Sequence, residues 1–411
     1  MTALVERVRT LPGWARSALI ATGLVLALSI TVTLTGQTQL ASSGTSQAAV
    51  GLGLPILFAA LGGLWSERAG IINIGLEGMM VLGTWGAAWA GYYGGPWAAM
   101  LGGLVFGGLG GLVHAVATIT FHVNHIVSGV AVTLLGTGLT KYLATLVFAP
   151  LSQNPRQSPR IDGFTEFSVP GISEGLAAVE AQQRVFVSDL AGLLSGLVTG
   201  LTPIVVLGIV LVPVSYWALW RTAFGLRLRS TGESPVAAES LGVHVVAHRY
   251  VAVVTSGGLA GLGGAALVLN SAQLGYLENQ VGGRGYIGLA AMIFGNWRPA
   301  GLLTGSALFG YVDGLQLRAG GEAVHALLYT ATLVAVAGAV LWAIRRMWTA
   351  AAVALGAGVL VYTVYWTIES VPSEFASYAP QLVTLIVLAA ASQRLRPPAW
   401  LGEPYRRGEG S

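Results

Sequence analysis

The chain contains no cysteine, a single lysine and few charges of either sign, with Asp, Glu, Lys and Arg making up 9% of its 411 residues. Without cysteine there is no disulfide, no thiol catalysis and no cysteine-based metal site, and cysteine usage says nothing of the compartment. The one lysine, Lys141, lies between Thr140 and Tyr142. A phosphate-binding loop of the form G-x-x-x-x-G-K-[ST] is therefore excluded, and the chain cannot supply its own nucleotide site of that kind. No G-x-S-x-G elbow and no H-E-x-x-H zinc signature is present. The expectation is no catalytic residue, no metal and no cofactor bound by this chain. Basic stripes interleaved with aromatics are also missing, so the net charge of +4 reads as a topological signal at span ends, with no nucleic-acid partner. Strand-type alternation is absent as well, which argues against a barrel.

What fills the sequence is apolar: hydrophobic residues are 54% of it and the mean hydropathy is +0.70. That composition is that of an integral membrane protein embedded in a lipid bilayer. Since roughly 20 helical residues cover about 30 Å of hydrocarbon, candidate spans fall at 17–35, 47–65, 70–91, 96–118, 124–149, 201–221, 250–271, 299–318, 322–344, 347–369 and 377–393, with a short element at 285–296. The 58 glycines run through these spans, which suits helices whose backbones approach closely. The expected fold is an all-α integral membrane protein, a polytopic helix bundle of about ten to twelve spans with broken helices.

Arg7, Arg9 and Arg16 precede the first apolar run with no convincing cleavage site after it, so residues 1–45 read as a cytoplasmic stub and an uncleaved first span. Residues 46–395 read as the transmembrane domain and 396–411 as a cytoplasmic tail. With both termini inside, the positive-inside rule places the polar insert 222–249, Arg298, Arg345, Arg346 and the tail arginines on the cytoplasmic side, provided the short element crosses. The proline-bearing connection 150–200 then lies outside as an ordered surface loop. Trp85, Trp89, Tyr92, Tyr93 and Trp97 read as interfacial anchors rather than a stacking site.

Two motifs recur in order. Ile74-Gly75-Leu76-x-x-Met79 returns as Ile287-Gly288-Leu289-x-x-Met292, and Phe106-Gly107-x-x-x-Gly111-Leu112 returns as Phe309-Gly310-x-x-x-Gly314-Leu315. With each copy crossing opposite to its mate, this is the pattern of inverted repeats, which place a solute route at their interface near the midplane. Asn73, Glu77, Met79, Ile287 and Met292 are the pathway candidates. A carboxylate within a span is costly and by default functional, yet Glu77 reads as well as a cap or brace of nearby backbone, and Asp313 carries the same two readings. His114, His122 and His125 lack a matching acidic cluster and read as hydrogen-bonding groups. Lys141 either snorkels or pairs within the bundle.

The insert has its own punctuation. Ser234 suits an N-cap, Pro235 the first helical position and Gly242 the left-handed residue after the last turn. Ala237, Ala238 and Leu241 form a small apolar strip, Glu233 sits at the positive end of the helix dipole, and Arg227 and Arg229 lie just upstream. So short a helix must lean on the membrane body or on a partner. It reads either as a docking element for a cytoplasmic ATPase or as an ordinary connecting loop.

The blocks SERAGIINIGLEGMM from Ser66, NHIVSGVAVTLLGTGLT from Asn124, RTAFGLRLRSTGESPVAAESLGV from Arg221, GRGYIGLAAMIFGNWRP from Gly283 and RPPAWLGEPYRRG from Arg396 together resemble the permease subunits of bacterial ABC importers for branched-chain amino acids, ribose and nucleosides, the nucleoside branch most of all. The similarity spans about 52–407. It implies that Arg229, Gly232, Glu233, Ala237, Ala238, Glu239 and Gly242 form a coupling helix docking on an ATPase. A second identical or homologous permease and an extracytoplasmic substrate-binding lipoprotein are implied too, with ATP and Mg held by the ATPase. The implied location is the bacterial inner membrane. The rival expectations are a permease for a sugar or a branched-chain amino acid, and an ion-coupled secondary transporter working through Glu77 and Asp313.

Overall fold

The computed structural model describes residues 12–270, 275–372, 395–406 and 408. It is helical nearly throughout, with elements α1 (Gly13–Thr35), α2 (Ser43–Arg68), α3 (Leu76–Ala115), α4 (His125–Val147), α5 (Ile172–Glu180), α6 (Val187–Ser195), α7 (Pro203–Arg221), α8 (Ala223–Glu233), α9 (Pro235–Ser240), α10 (Val245–Asn270), α11 (Arg284–Phe294), α12 (Pro299–Ile344) and α13 (Trp348–Thr367). Among the described residues eight helices are long and apolar enough to cross a membrane. The chain is a multi-pass helical membrane protein.

Two of the eight, α3 and α12, are each two segments joined at a glycine. Gly95 (φ 73°, ψ −169°) breaks α3 just before Pro96, and Gly320 (φ 63°, ψ −153°) breaks α12. Positive φ at these ψ values is open to glycine and hardly to anything else, and the breaks fall in the gaps the sequence leaves at 91–96 and 318–322. The expected span 377–393 lies outside the described residues.

Three expectations need correction. The span placed at 70–91 begins its helix only at Leu76, because 69–75 is irregular. The short element is the 11-residue α11, which at 1.5 Å per residue rises about 16 Å, half of what a helical crossing needs. The connection 150–200 is not merely a surface loop, since it folds into α5 and α6. Asp189 accepts the Phe186 N–H at 3.2 Å where α6 begins, a local cap that the proline count concealed.

The residues group into two compact units. The larger comprises the described residues within Val50–Glu166, Leu201–Gly310 and Gln381–Ser411. Its centre is a glycine seam between α3 and α10, where a Cβ at Gly107 would meet the Gly257 carbonyl and the Gly261 backbone, and a Cβ at Gly111 would meet the Val253 carbonyl at 2.6 Å. Small residues four apart let two backbones touch, which is how helices in lipid gain dispersion energy. Beside it, Ala59, Leu76, Met79, Met80, Val132, Ala260 and Val281 form a buried cluster. Trp85 is also interior, 5% exposed and packed on Trp89, Phe106 and Phe148, so it is not the interfacial anchor expected. Trp89, Tyr92, Tyr93 and Trp97 remain exposed.

The smaller unit comprises the described residues within Met1–Ala49, Phe167–Gly200 and Tyr311–Pro380. Leu28, Leu40, Ala41, Leu315, Ala323 and Ala326 form its core, and Thr330 donates to Thr31 Oγ1 at 2.8 Å. The α5–α6 pair is fastened to the start of α2. Ser46 Oγ donates to the Gly192 carbonyl at 2.8 Å and accepts the Gly196 N–H at 3.1 Å, while Glu180 accepts the Ser43 N–H at 2.9 Å.

Candidate functional site

The pathway candidates converge in the larger unit around the irregular stretch 69–75. Its backbone cannot satisfy itself as a helix would, and in an apolar setting every free N–H and C=O needs a partner. The histidines supply several. His114 bonds Ser128 Oγ at 2.9 Å through Nδ1 and the Ile72 carbonyl at 3.0 Å through Nε2, and His125 Nδ1 accepts the Ile72 N–H at 3.4 Å. Ser66 Oγ donates to the Ile71 carbonyl at 2.7 Å. Asn73 is fully buried and donates through Nδ2 to Ser256 Oγ at 2.8 Å and to Met79 Sδ at 3.4 Å. Its Oδ1 has no protein partner.

Glu77, in the first turn of α3, reaches across to the start of α11. Its Oε1 accepts the Gly283 N–H and its Oε2 the Gly285 N–H, each at 2.8 Å. A carboxylate on the first free N–H groups of a helix neutralises the positive end of its dipole. Of the two readings of Glu77, the bracing one is what the geometry displays. It also joins the two copies of the first repeat, since α11 carries Ile287 and Met292. Met79 and Met292 are fully buried and Ile287 nearly so. None of the five pathway candidates lines the open cavity of about 340 Å³ found in the smaller unit among Ser43, Gln47, Ser173, Glu174 and Thr199.

The loop ahead of α11 is held from the other side. Tyr276 accepts the Ser158 N–H through its carbonyl at 3.0 Å, its own N–H donates to Ser158 Oγ at 2.9 Å, and the Glu278 N–H donates to the Arg156 carbonyl at 2.8 Å. Burial raises the Tyr276 phenol above its ordinary pKa, against a lowering hydrogen bond with Thr140. Glu278 pairs with both Lys141 at 3.4 Å and Arg156 at 3.5 Å. Lys141 thus pairs, as one of its two readings had it.

The polar insert is more helical than its punctuation indicates. The 11-residue α8 precedes the short helix, with the Thr222 hydroxyl accepting the Gly225 N–H at 3.0 Å. Ser234 is the N-cap residue of α9 without a capping side-chain bond, and Pro235 opens the helix. Gly242 is left-handed at φ 82°. The Val243 N–H donates to the Ala238 carbonyl at 3.0 Å and the Gly242 N–H to the Glu239 carbonyl at 2.8 Å. That is a Schellman termination.

The apolar strip divides in two. Ala238 and Pro235 are buried, Ala238 against Val245 and Tyr405, whereas Ala237 is exposed and Leu241 is 84% exposed. The other docking candidates separate likewise. Arg227 is exposed. Arg229 donates through Nε to the Leu219 carbonyl at 2.8 Å and lies over Trp220, so it braces α8 against α7. Gly232 is buried with a close approach to the Arg68 carbonyl and Gly70 N. Glu233 ends α8 instead of starting α9; its carboxylate lies 3.8 Å from Arg68 and accepts the Ala399 N–H at 3.2 Å. Glu239 accepts the Gly408 N–H at 3.4 Å.

Sequence reasoning missed two participants. One is the pair Arg68 and Trp297: Arg68 donates twice to the Trp297 carbonyl (2.8 and 3.2 Å), and the Trp297 indole donates to Glu67 at 2.6 Å. Both residues stand inside blocks singled out above, but nothing in either block links positions 229 residues apart. The other is the packing of the tail, described at 395–406 and 408, whose RPPAWLGEPY run carried a resemblance but named no contact.

Comparison with known proteins adds the following. The family described as "Branched-chain amino acid transport system / permease component" matches residues 46–344, which ends short of the tail, whereas the resemblance in the sequence blocks runs to about 407. The guanosine ABC transporter permease protein NupQ of Bacillus subtilis is 34% identical over 270 residues, covering 64% of this chain and 78% of its own. The nucleoside ABC transporter permease protein NupC of Lactococcus lactis is 32% identical, covering 65% and 80%. TsgC13 of Haloferax volcanii, named provisionally as a glucose ABC transporter permease protein, is 35% identical, covering 67% and 78%. No solved structure matches.

Proposed function

The chain belongs to the branched-chain amino acid transport system permease family, and from that premise we propose that it is the membrane-spanning subunit of an ATP-driven nucleoside importer in the bacterial inner membrane, with the insert and the tail hydrogen-bonded to it both cytoplasmic. The observation that carries the reading is α9: a six-residue helix ended by a Schellman turn, buried on Pro235 and Ala238, with Ala237 and Leu241 left bare. A leucine 84% exposed at the end of a rigidly supported helix fits a protein partner. In this reading Arg227, Ala237, Glu239, Leu241 and Gly242 face a separate ATPase that holds ATP and Mg, while Arg229, Gly232, Pro235 and Ala238 keep the helix rigid. A second permease, identical or homologous, and an extracytoplasmic substrate-binding lipoprotein complete the assembly.

Transport proceeds by alternating access, which requires each state to make contacts the other lacks. The break at 69–75 and the capped start of α11 are the elements with two possible arrangements, and Asn73, with a buried unpartnered oxygen, is the group poised to meet solute.

The chemistry at this centre supports a neutral solute. Both Glu77 oxygens are engaged by backbone N–H groups, so no unengaged carboxylate there awaits the ammonium of an amino acid. A nucleoside needs hydrogen bonds and apolar contact only, and two relatives are named for nucleosides. A sugar is the second reading, favoured by the same neutrality and by TsgC13.

The test is reconstitution of the chain with a cognate ATPase and binding protein in vesicles. Uptake of radiolabelled guanosine that needs ATP is the expected result. Uptake by the chain alone under a proton or sodium gradient would establish the secondary-transporter alternative instead.

A further inference from the structure

We infer that the tail, described at Arg396–Arg406 and Gly408, is a positioning strap, which makes α9 and the irregular stretch 69–75 move as one body. The tail has almost no regular structure of its own, yet its backbone is tied to several separate elements of the larger unit. The Arg396 N–H donates to Asn296 Oδ1 at 2.8 Å, the Ala399 N–H to Glu233 at 3.2 Å, the Trp400 N–H to the Gly232 carbonyl at 2.8 Å, the Gly402 N–H to the Gly70 carbonyl at 3.0 Å and the Gly408 N–H to Glu239 at 3.4 Å. His122 bonds the Tyr405 carbonyl at 3.1 Å.

A polar tail with nothing to do would leave these groups to water. Here neighbouring ties reach both the insert and the 69–75 stretch: Trp400 holds Gly232, and Gly402, two residues on, holds Gly70. Gly402 takes φ 85°, and a Cβ there would come within 2.8 Å of Ile72. Tyr405 is 7% exposed, joins Ala238 and Val245 in one apolar cluster and lies under the Arg249 guanidinium, 5.5 Å from its ring centre. So short a helix as α9 has no stability of its own, and the Tyr405 ring packs on its buried Ala238. Asn73 lies three residues beyond Gly70 and Glu77 four further on, so a displacement of α9 reaches the proposed solute centre through packed and hydrogen-bonded groups.

This inference rests on the importer reading, and its test separates the two. Tyr405→Ala removes the ring and Tyr405→Phe keeps it. Both are to be compared with the parent chain in the full assembly at equal membrane levels, reading solute carried per ATP hydrolysed and hydrogen exchange of the amides at Leu241–Val243. For Tyr405→Ala a loss of about tenfold in solute per ATP is expected, within the range by which one residue alters coupling, with faster exchange at those amides and the ATPase still bound. Tyr405→Phe, which keeps the ring, should lie much nearer the parent than Tyr405→Ala in both. An unchanged ratio in Tyr405→Ala overturns the strap, as does a Tyr405→Phe variant as impaired as Tyr405→Ala. If the parent assembly shows no ATP-driven uptake, the importer reading fails by itself, and the exchange comparison still decides whether the ring holds α9.

Discussion

Glu77→Ala is the sharpest perturbation the geometry offers. The substitution deletes both acceptors of the Gly283 and Gly285 N–H groups, each now at 2.8 Å, in a site where Glu77 itself is 8% exposed. Hydrogen bonds to a charged group contribute about 1.5–3 kcal/mol each, so the start of α11 should lose about 3–6 kcal/mol of local stability. At 1.4 kcal/mol per tenfold, amide exchange in the first turn of α11 should rise between about a hundredfold and ten-thousandfold. Glu77→Gln keeps one acceptor oxygen and should fall between parent and alanine. The assay is hydrogen exchange on purified protein in nanodiscs, with solute uptake measured in parallel. Exchange in Glu77→Ala within about threefold of the parent would refute the cap, because a helix start that holds without its acceptors is held by something else. A Glu77→Gln chain that keeps its protection but loses uptake would assign Glu77 to solute contact.

Four further outcomes follow from other contacts in the structure. Gly107→Val drives a side chain into the Gly257 carbonyl and Gly261, costing about 1–3 kcal/mol or more; monodisperse protein on gel filtration should be lost, whereas Gly138→Ala, with nothing within 4 Å of the new Cβ, should behave as the parent. Leu241→Glu leaves a position 84% exposed and should not change thermal stability, but should abolish co-purification of the ATPase; Gly242→Val, forced to φ 82°, should lose coupling through strain of about 1–2 kcal/mol. Glu278→Gln removes pairs whose basic partners are 65% and 77% exposed, so the melting temperature should move by an amount equivalent to about 1 kcal/mol or less.

Much of the architecture was legible because it is local. Membrane character follows from composition, and the breaks at Gly95 and Gly320 were marked by polarity and glycine within a few residues. The turn at Gly242 needed only Ser234, Pro235 and the glycine itself. The helix α8 escaped notice because its residues GLRLRSTGE are polar and glycine-bearing, and packing of Gly225 and Leu228 against neighbours outweighs their weak propensity. The interior place of Trp85 escaped for a related reason: an aromatic ring suits an interface or a core equally.

The sequence by itself determined that this is a helical bundle in lipid, where its helices bend, and that it carries no phosphate-binding loop of its own, because apolar run length, glycine conformations and motif spacing act over a few residues. Only the tertiary structure decided that Glu77 caps a helix 206 residues away, which side of α9 is bare, and that the tail binds Gly70 and Gly232 together. The Gly70 and Gly232 carbonyls and the amides they accept are backbone groups that nearly every residue carries, and nothing but their placement in three dimensions selects which of them meet.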